Sequence, residues 1–312
     1  MQIWRRVDEV PSDLGRTVVS VGNFDGVHLG HAHVLREARS TAERLGVATV
    51  VAVTFDPHPI AVLRPEHAPP TLTSIATRAR LLEDAGVDAV LVVPFSREIA
   101  GWSPEEFVDR ILVDTLRARA VVVGANFRFG KRASGDLAAL QEAGTTRDFE
   151  TVGVALDGGP QVWSSTYVRQ CLATGDVAGA AEALGRPFTV RGVVVEGDKR
   201  GRGLGYPTAN VPVPPVDAVP PDGVYAGWLS RLDTGERFPA AVSVGTNPTF
   251  DGERYRRVES YVLDRDDLEL YGVEVEVAFV ERLRGMVRFE GIEALVETMH
   301  DDVRRTREVL GA

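Results

Sequence analysis

The chain carries two kinds of hydrophobic pattern, one after the other. From residue 1 to about 186, short apolar runs alternate with segments of helical periodicity. The runs TVVSVGNF (17–24), ATVVAVTF (48–55), AVLVVPF (89–95), AVVVGAN (120–126) and ETVGVAL (150–156) are Val-rich and nearly unbroken. Strands covered on both faces read this way. Helices are expected at 32–45, stopped by Gly46, and at about 74–85, stopped by Gly86. A third is expected over SPEEFVDRILVDTLRA. There Ser103 is the N-cap, Pro104 opens the first turn, and Glu106 completes a capping box. Phe107, Ile111 and Leu112 give this helix an apolar face. Strands alternating with helices predict an α/β doubly wound, Rossmann-like parallel sheet. Ligands of such sheets bind beyond the carboxyl ends of the strands.

After LGRPF (184–188) the pattern changes. FTVRGVVVEG, GVYAGWLSRL, FPAAVSVGT, RRVESYVLD and VEVEVAFVERL are strand-like, partly alternating, and separated by Gly, Pro and Asp clusters rather than helices. This predicts an antiparallel β-barrel or sandwich. VPVPPVDAVPPDG (211–223) reads as a long connection, because its prolines cannot donate to a ladder. A terminal helix is expected from about 291 to 310, with Ile292, Leu295, Val296, Met299, Val303 and Leu310 mostly on one face. The expected domains are 1–186 and 187–312.

Composition narrows the function classes. At 312 residues two domains are the natural count. The net charge of -10 opposes broad binding to nucleic acid or an anionic membrane. Anionic ligands must then be held by local cations and backbone amides. The single cysteine, Cys171, allows no intrachain disulfide and fits the cytoplasm, as a small buried side chain on its helix. MQIWRRVDEV has no apolar stretch behind its arginines and does not read as a signal peptide. The longest near-apolar run, residues 47–55, falls well short of the roughly 20 residues a membrane helix needs. The only lysines are Lys131 and Lys199, both in Gly-rich basic loops.

GNFDGVHLGH (22–31) follows a strand and precedes a helix. Its glycines let backbone approach a ligand closely, and a helix N-terminus favours phosphate. His28 and His31 can donate hydrogen bonds to phosphate oxygens and, protonated, offset charge on a pyrophosphate leaving group. The pair alone leaves metal ligation and plain loop residues open, although no H-E-x-x-H pattern or compact third ligand accompanies it. Three further segments follow in order: TFDPHP (54–59), VGANFRFG (123–130) with Gly135, and WSSTYVR (163–169). Together the four resemble the HxGH nucleotidylyltransferase superfamily in the form used by bacterial FAD synthetases. The resemblance implies ATP as substrate, with His28 and His31 on its phosphates as catalytic groups. It implies nucleotide contacts from Gly22, Phe24, Asp25, Gly30, Ser165, Thr166 and Arg169. It implies flavin contacts from Asn126, Phe127, Arg128 and His58. For His58 a rigid-turn role stays open, as does turn-capping for Asp25. His33, His67 and His300 carry no motif support and read as structural. Tyr167 stands where relatives often carry a basic residue.

GDKRGRGLGYPTAN (197–210) gathers Lys199, Arg200 and Arg202 in an acidic chain, and read alone could be a solvated basic hairpin. Thr208 and Asn210 offer hard oxygens suited to magnesium. With SVGTNPTF (243–250) and VESYVLD (258–264), the segment resembles the riboflavin kinase family, Tyr206 replacing the usual phenylalanine. The resemblance implies that Thr208 and Asn210 hold Mg²⁺-ATP, that Lys199 and Arg202 contact nucleotide, and that Glu259 is the general base on the ribityl hydroxyl. Asn247 and Thr249 read first as turn residues around Pro248. The two resemblances imply riboflavin, FMN, FAD and ATP as ligands, Mg²⁺ as cofactor, and no obligatory protein partner. A different HxGH nucleotidylyltransferase, or a flavin-binding module with decayed sites, are the competing readings.

Overall fold

The computed structural model describes residues 1–155, 163–197, 205–248 and 254–312. The chain forms two compact units, Met1–Ser165 and Thr166–Ala312.

The first unit holds strands β1 (Gln2–Trp4), β2 (Thr17–Val21), β3 (Thr49–Asp56), β4 (Ala89–Pro94), β5 (Ala118–Gly124) and β6 (Glu150–Val154). All pair in parallel, in the order β1-β4-β3-β2-β5-β6. The doubly wound sheet expected from the Val-rich runs is therefore present. Alternate residues of each strand feed two cores: Val19, Val21, Val51 and Val121 on one face, Val18, Val50, Ala52 and Val122 on the other. Helices α1 (Leu29–Leu45), α2 (Pro59–Leu63), α3 (Ile75–Asp84), α4 (Pro104–Phe107) and α5 (Leu137–Arg147) connect the strands. Neighbours of β2 switch direction between β3 and β5, so β2 lies at the topological switch point, where such sheets bind ligands.

Several boundaries differ from expectation. The first run ends as strand at Val21, which leaves residues 22–28 as a loop, and α1 begins at Leu29 rather than 32. His28 is thus the N-cap and His31 lies in the first turn. The expected helix from Ser103 keeps its capping box but continues from Val108 to Thr115 as a π-helix, with Leu116 N–H donating to the carbonyl of Ile111 five residues back. β1 was not expected; it adds an edge beside β4.

The second unit opens with α6 (Ser165–Thr174, its first residue in the other unit) and α7 (Val177–Leu184). It continues with β7 (Phe188–Val193), β8 (Thr208–Val213), β9 (Gly223–Arg231), β10 (Arg237–Pro248), β11 (Arg254–Val262), β12 (Glu274–Gly285) and α8 (Ile292–Leu310). The strands form one antiparallel sheet, β7-β12-β9-β10-β11-β8. A bridge between Val195 and Asn210, with Val195 N–H donating to the Asn210 carbonyl at 2.9 Å, draws the edges into a nearly closed barrel. The helix α8 packs on β9, β10 and β12.

One expectation needs correction here. Residues 211–213 belong to strand β8, not to a connection. Pro212 is tolerated because β8 is an edge strand with one continuous ladder, to β11. By their packing the two compact units divide at 165/166, inside the expected first domain. The reason is that α7 packs on β7 and β12, while Arg282 of β12 donates to the carbonyls of Thr174 at 3.4 Å and Asp222 at 3.2 Å.

Candidate active sites

The loop between β2 and α1 bends sharply, with Phe24 at φ 49° and Val27 at φ 41°. His28 Nδ1 accepts the His31 N–H at 3.3 Å, so one ring caps the helix while the other rises from its first turn. Their rings stack with centroids 3.7 Å apart, and Phe24 meets His31 edge-on at 5.1 Å. Gly30 is what permits this. A Cβ there would lie 3.1 Å from the His28 ring and 3.2 Å from the Trp163 carbonyl. His31 Nδ1 is buried with no hydrogen-bond partner among the described residues. Burial, then the neighbouring His28 and the Arg78 guanidinium, push the His31 pKa well below its ordinary value. The ring is therefore neutral at pH 7, not the cation that leaving-group chemistry would use. A bound polyphosphate would raise its proton affinity again.

Asp25 and Phe24 are buried. The Asp25 carboxylate accepts the Leu72 and Thr73 N–H groups and the Thr73 hydroxyl, and it pairs with Arg78 at 3.2 Å. Its side chain therefore holds the loop, which is the turn-fixing alternative of the sequence reading. The Ser165 hydroxyl donates to the Asp25 carbonyl at 2.7 Å, tying the start of α6 to this loop. Thr166 and Arg169 follow on α6 in the second unit.

Segments after β2, β3, β4 and β5 enclose an open cavity of about 1160 Å³. Its walls are aromatic: Phe55, Phe95, Trp102, Phe107, Phe127 and Phe129. The Phe127 and Phe129 rings stack with centroids 5.4 Å apart. Arg64, Arg97, Arg128, Lys131 and Arg132 add cations. Gly22 and Asn23 line it too, so it adjoins the histidine loop. Planar aromatic ligands with an anionic group suit such a wall. Of the expected flavin residues, Phe127 and Arg128 line the cavity. Asn126 is an exposed turn residue, and neither it nor His58 is among the residues lining the cavity. His58 caps α2, accepting the Ile60 N–H at 3.2 Å, and its Nε2 lies 3.2 Å from the Asn23 amide.

Sequence reasoning missed Phe55, Phe95, Trp102, Arg64 and Arg97. Phe55 and Phe95 stand at the carboxyl ends of β3 and β4, the position the sheet topology itself marks. It also missed Arg78. The signal for that residue is an arginine on the apolar face of α3, three residues after Ile75 and four before Leu82.

In the second unit, ladder register assembles the site. Glu259 lies directly opposite Asn210 of β8 and Ser243 of β10, and Tyr261 opposite Thr208. Paired residues project to the same face. Asn210 is buried, and its amide donates to the Thr208 carbonyl at 3.1 Å. A Cβ at Gly197 would lie 2.5 Å from that amide, so glycine admits the side chain. Thr208, Asn210 and Ser260 line a cavity of about 90 Å³, and the buried Ser260 hydroxyl has no partner among the described residues. Tyr206 packs edge-on against Tyr261 and against His300 of α8. Lys199, Arg200, Arg202 and Thr249 lie outside the described residues, as does the side chain of Asn247. Among the described residues, no three His, Cys, Asp or Glu side chains gather where a metal ion could sit.

A family model for FAD synthetase matches residues 10–166, and one for riboflavin kinase matches residues 184–310. A bifunctional riboflavin kinase/FMN adenylyltransferase of Escherichia coli K12 is 36% identical over 297 residues, covering 94% of this chain and 93% of that protein. One of Pseudomonas fluorescens is 38% identical, covering 98% and 97%. A crystal structure described as a macrolide-efflux protein from Streptococcus pneumoniae superposes with a TM-score of 0.87 at 30% identity, covering 98% of both chains. No helix among the described residues here is long and apolar enough to cross a membrane. With both halves matched and relatives spanning nearly the whole chain, the protein belongs to the bifunctional riboflavin kinase/FMN adenylyltransferase family, which uses ATP to phosphorylate riboflavin to FMN and to adenylylate FMN to FAD.

Proposed function

We propose that the first unit carries adenylyl transfer and the second carries phosphorylation, each with the residues assigned above. The observation that carries this reading is the convergence of the β2, β3 and β5 loops on one aromatic, cation-rimmed cavity beside the stacked His28–His31 pair. The isoalloxazine ring packs among Phe127, Trp102 and their neighbours. The FMN phosphate, drawn by the arginines, attacks the α-phosphorus of ATP; the bond to pyrophosphate breaks and pyrophosphate leaves. His28 and His31 hydrogen-bond the departing phosphates, and no covalent enzyme intermediate forms. Ser165, tied to the histidine loop through the Asp25 carbonyl, contacts the triphosphate.

In the second unit Glu259 accepts the proton of the ribityl 5′-hydroxyl as its oxygen attacks the γ-phosphorus of ATP, and ADP departs. Mg²⁺ fits the donors present there. The Thr208 hydroxyl and the Asn210 carbonyl oxygen are hard neutral oxygens, with the Glu259 carboxylate across the ladder. Bound with nucleotide, the cation would screen phosphate charge. Lys199 and Arg202 supply further positive charge to the nucleotide. The lone buried, free Cys171 suits a reducing, cytoplasmic setting.

Incubation with riboflavin, ATP and Mg²⁺, with chromatographic separation of flavins, tests the assignment. His28→Ala should abolish FAD formation and spare FMN formation, and Glu259→Ala should do the reverse. Loss of both products in either variant would show that the units have been misassigned.

A further inference from the structure

We propose that Arg78, on α3, is a positioning residue for adenylyl transfer: it locks the loop between β2 and α1 in the conformation that presents His28 and His31 together. The inference rests on the reading of those histidines given above.

Three short hydrogen-bond routes run from α3 and its N-terminal flank to the loop. Arg78 Nη1 donates to the Thr54 hydroxyl at 3.2 Å, which donates in turn to the Asn23 carbonyl at 2.9 Å. Arg78 Nη2 donates to Asp25 Oδ1 at 3.2 Å and to the Thr73 carbonyl at 3.1 Å. The Gly26 N–H donates to the Thr73 hydroxyl at 3.0 Å, which itself donates to Asp25 at 3.1 Å. Loop positions 23, 25 and 26 are therefore each tied to one network. Phe24, between two of them, and Val27, just after the last, are the non-glycine loop residues held at positive φ. For a β-branched valine that conformation is costly and persists only where its surroundings fix it.

Stability alone does not account for an ion pair at this place. Arg78 and Asp25 are both buried, and a buried pair often stabilises a fold no better than apolar residues of equal volume. What the pair adds is a defined geometry next to the reacting groups. It also adds a charge. Arg78 from α3 and His28 from the helix cap are the charged or titratable groups acting on His31, and both disfavour its protonation. Together with burial, they favour the neutral His31 ring.

The test uses Arg78→Met and Arg78→Lys in the full chain. FAD formation gives kcat and the KM for ATP, flavin fluorescence quenching gives FMN binding, and imidazole ¹⁵N NMR follows His31. Arg78→Met should retain FMN binding while kcat for FAD falls about ten- to a hundredfold, and His31 should titrate nearer the ordinary histidine value. Arg78→Lys, which keeps the charge and the contact to Asp25, should recover most of kcat and keep His31 depressed. Unchanged kcat and unchanged His31 titration in Arg78→Met would overturn the inference. So would equal loss of FMN binding and FAD formation in both variants, which marks a residue needed only for folding. If His31→Ala itself kept normal FAD formation, the histidine reading would fail first and take this inference with it.

Discussion

In the first unit the candidate groups ride on loops at the carboxyl ends of parallel strands; in the second they stand on neighbouring strands of an antiparallel barrel. The two arrangements buy precision differently. His28 and His31 depend on a bent loop, on Gly30, and on the buried network around Asp25 and Arg78. Glu259 and Asn210 are set opposite each other by ladder register. A loop site should therefore be damaged by remote substitutions that leave its reacting groups intact. A ladder site should fail chiefly when a reacting group itself is changed.

The largest expected effect tests the ladder site at its centre. Glu259→Gln keeps shape and register but cannot take a proton, and riboflavin phosphorylation should fall about 10²- to 10⁴-fold with FAD formation from supplied FMN unchanged. A residual rate near wild type would remove Glu259 as the base. For the loop site, His28→Ala should lower FAD formation about 10²- to 10³-fold, the range for removing one donor to a developing anion. Gly30→Ala touches no reacting group, yet its Cβ would press on the His28 ring at 3.1 Å. We expect kcat for FAD to fall about tenfold or more, with FMN formation preserved. If Gly30→Ala proved as active as wild type, the loop site would be no more fragile than the ladder site, and the contrast would collapse.

How far each site was legible in sequence follows the same division. Val-rich runs announced the parallel sheet because a strand buried on both faces must be apolar at nearly every position, as Val50 to Val53 are. The histidine loop was legible as a local string. Its working parts were not: Thr54, Thr73 and Arg78 are distant in sequence and meet Asn23 and Asp25 only through the fold. Phe55, Phe95 and Trp102 looked like ordinary apolar residues until the strand ends placed them around one cavity. In the barrel, β8 was hidden by Pro212 and the prolines that follow it, since an edge strand can carry Pro212 where a central strand could not. The opposition of Glu259 to Asn210 was hidden with it, because register is a property of two strands. The packing of α6 and α7 was hidden for a similar reason: their character as helices does not say which unit they join.

The smallest expected effect sharpens the comparison through pH. His31 is held well below its ordinary value in the folded protein, by burial first and then by His28 and Arg78. In the unfolded chain it titrates near 6.5. Below that pH, and above the depressed folded value, the unfolded state binds more protons than the folded state. Stability therefore rises with pH through this window and is lost as pH falls through it, by at most about 1.4 kcal/mol per pH unit for one histidine. Denaturation followed between pH 7 and pH 5.5 should show this slope in wild type and a shallower one in His31→Gln. Arg78→Met should flatten it less than His31→Gln does, because burial and His28, the larger causes, remain. The same scan on Glu259→Gln should keep the wild-type slope, since that residue stands on the other scaffold. An equal slope in wild type and His31→Gln would mean that His31 is not held neutral in the fold, and that the loop network positions the ring without governing its charge.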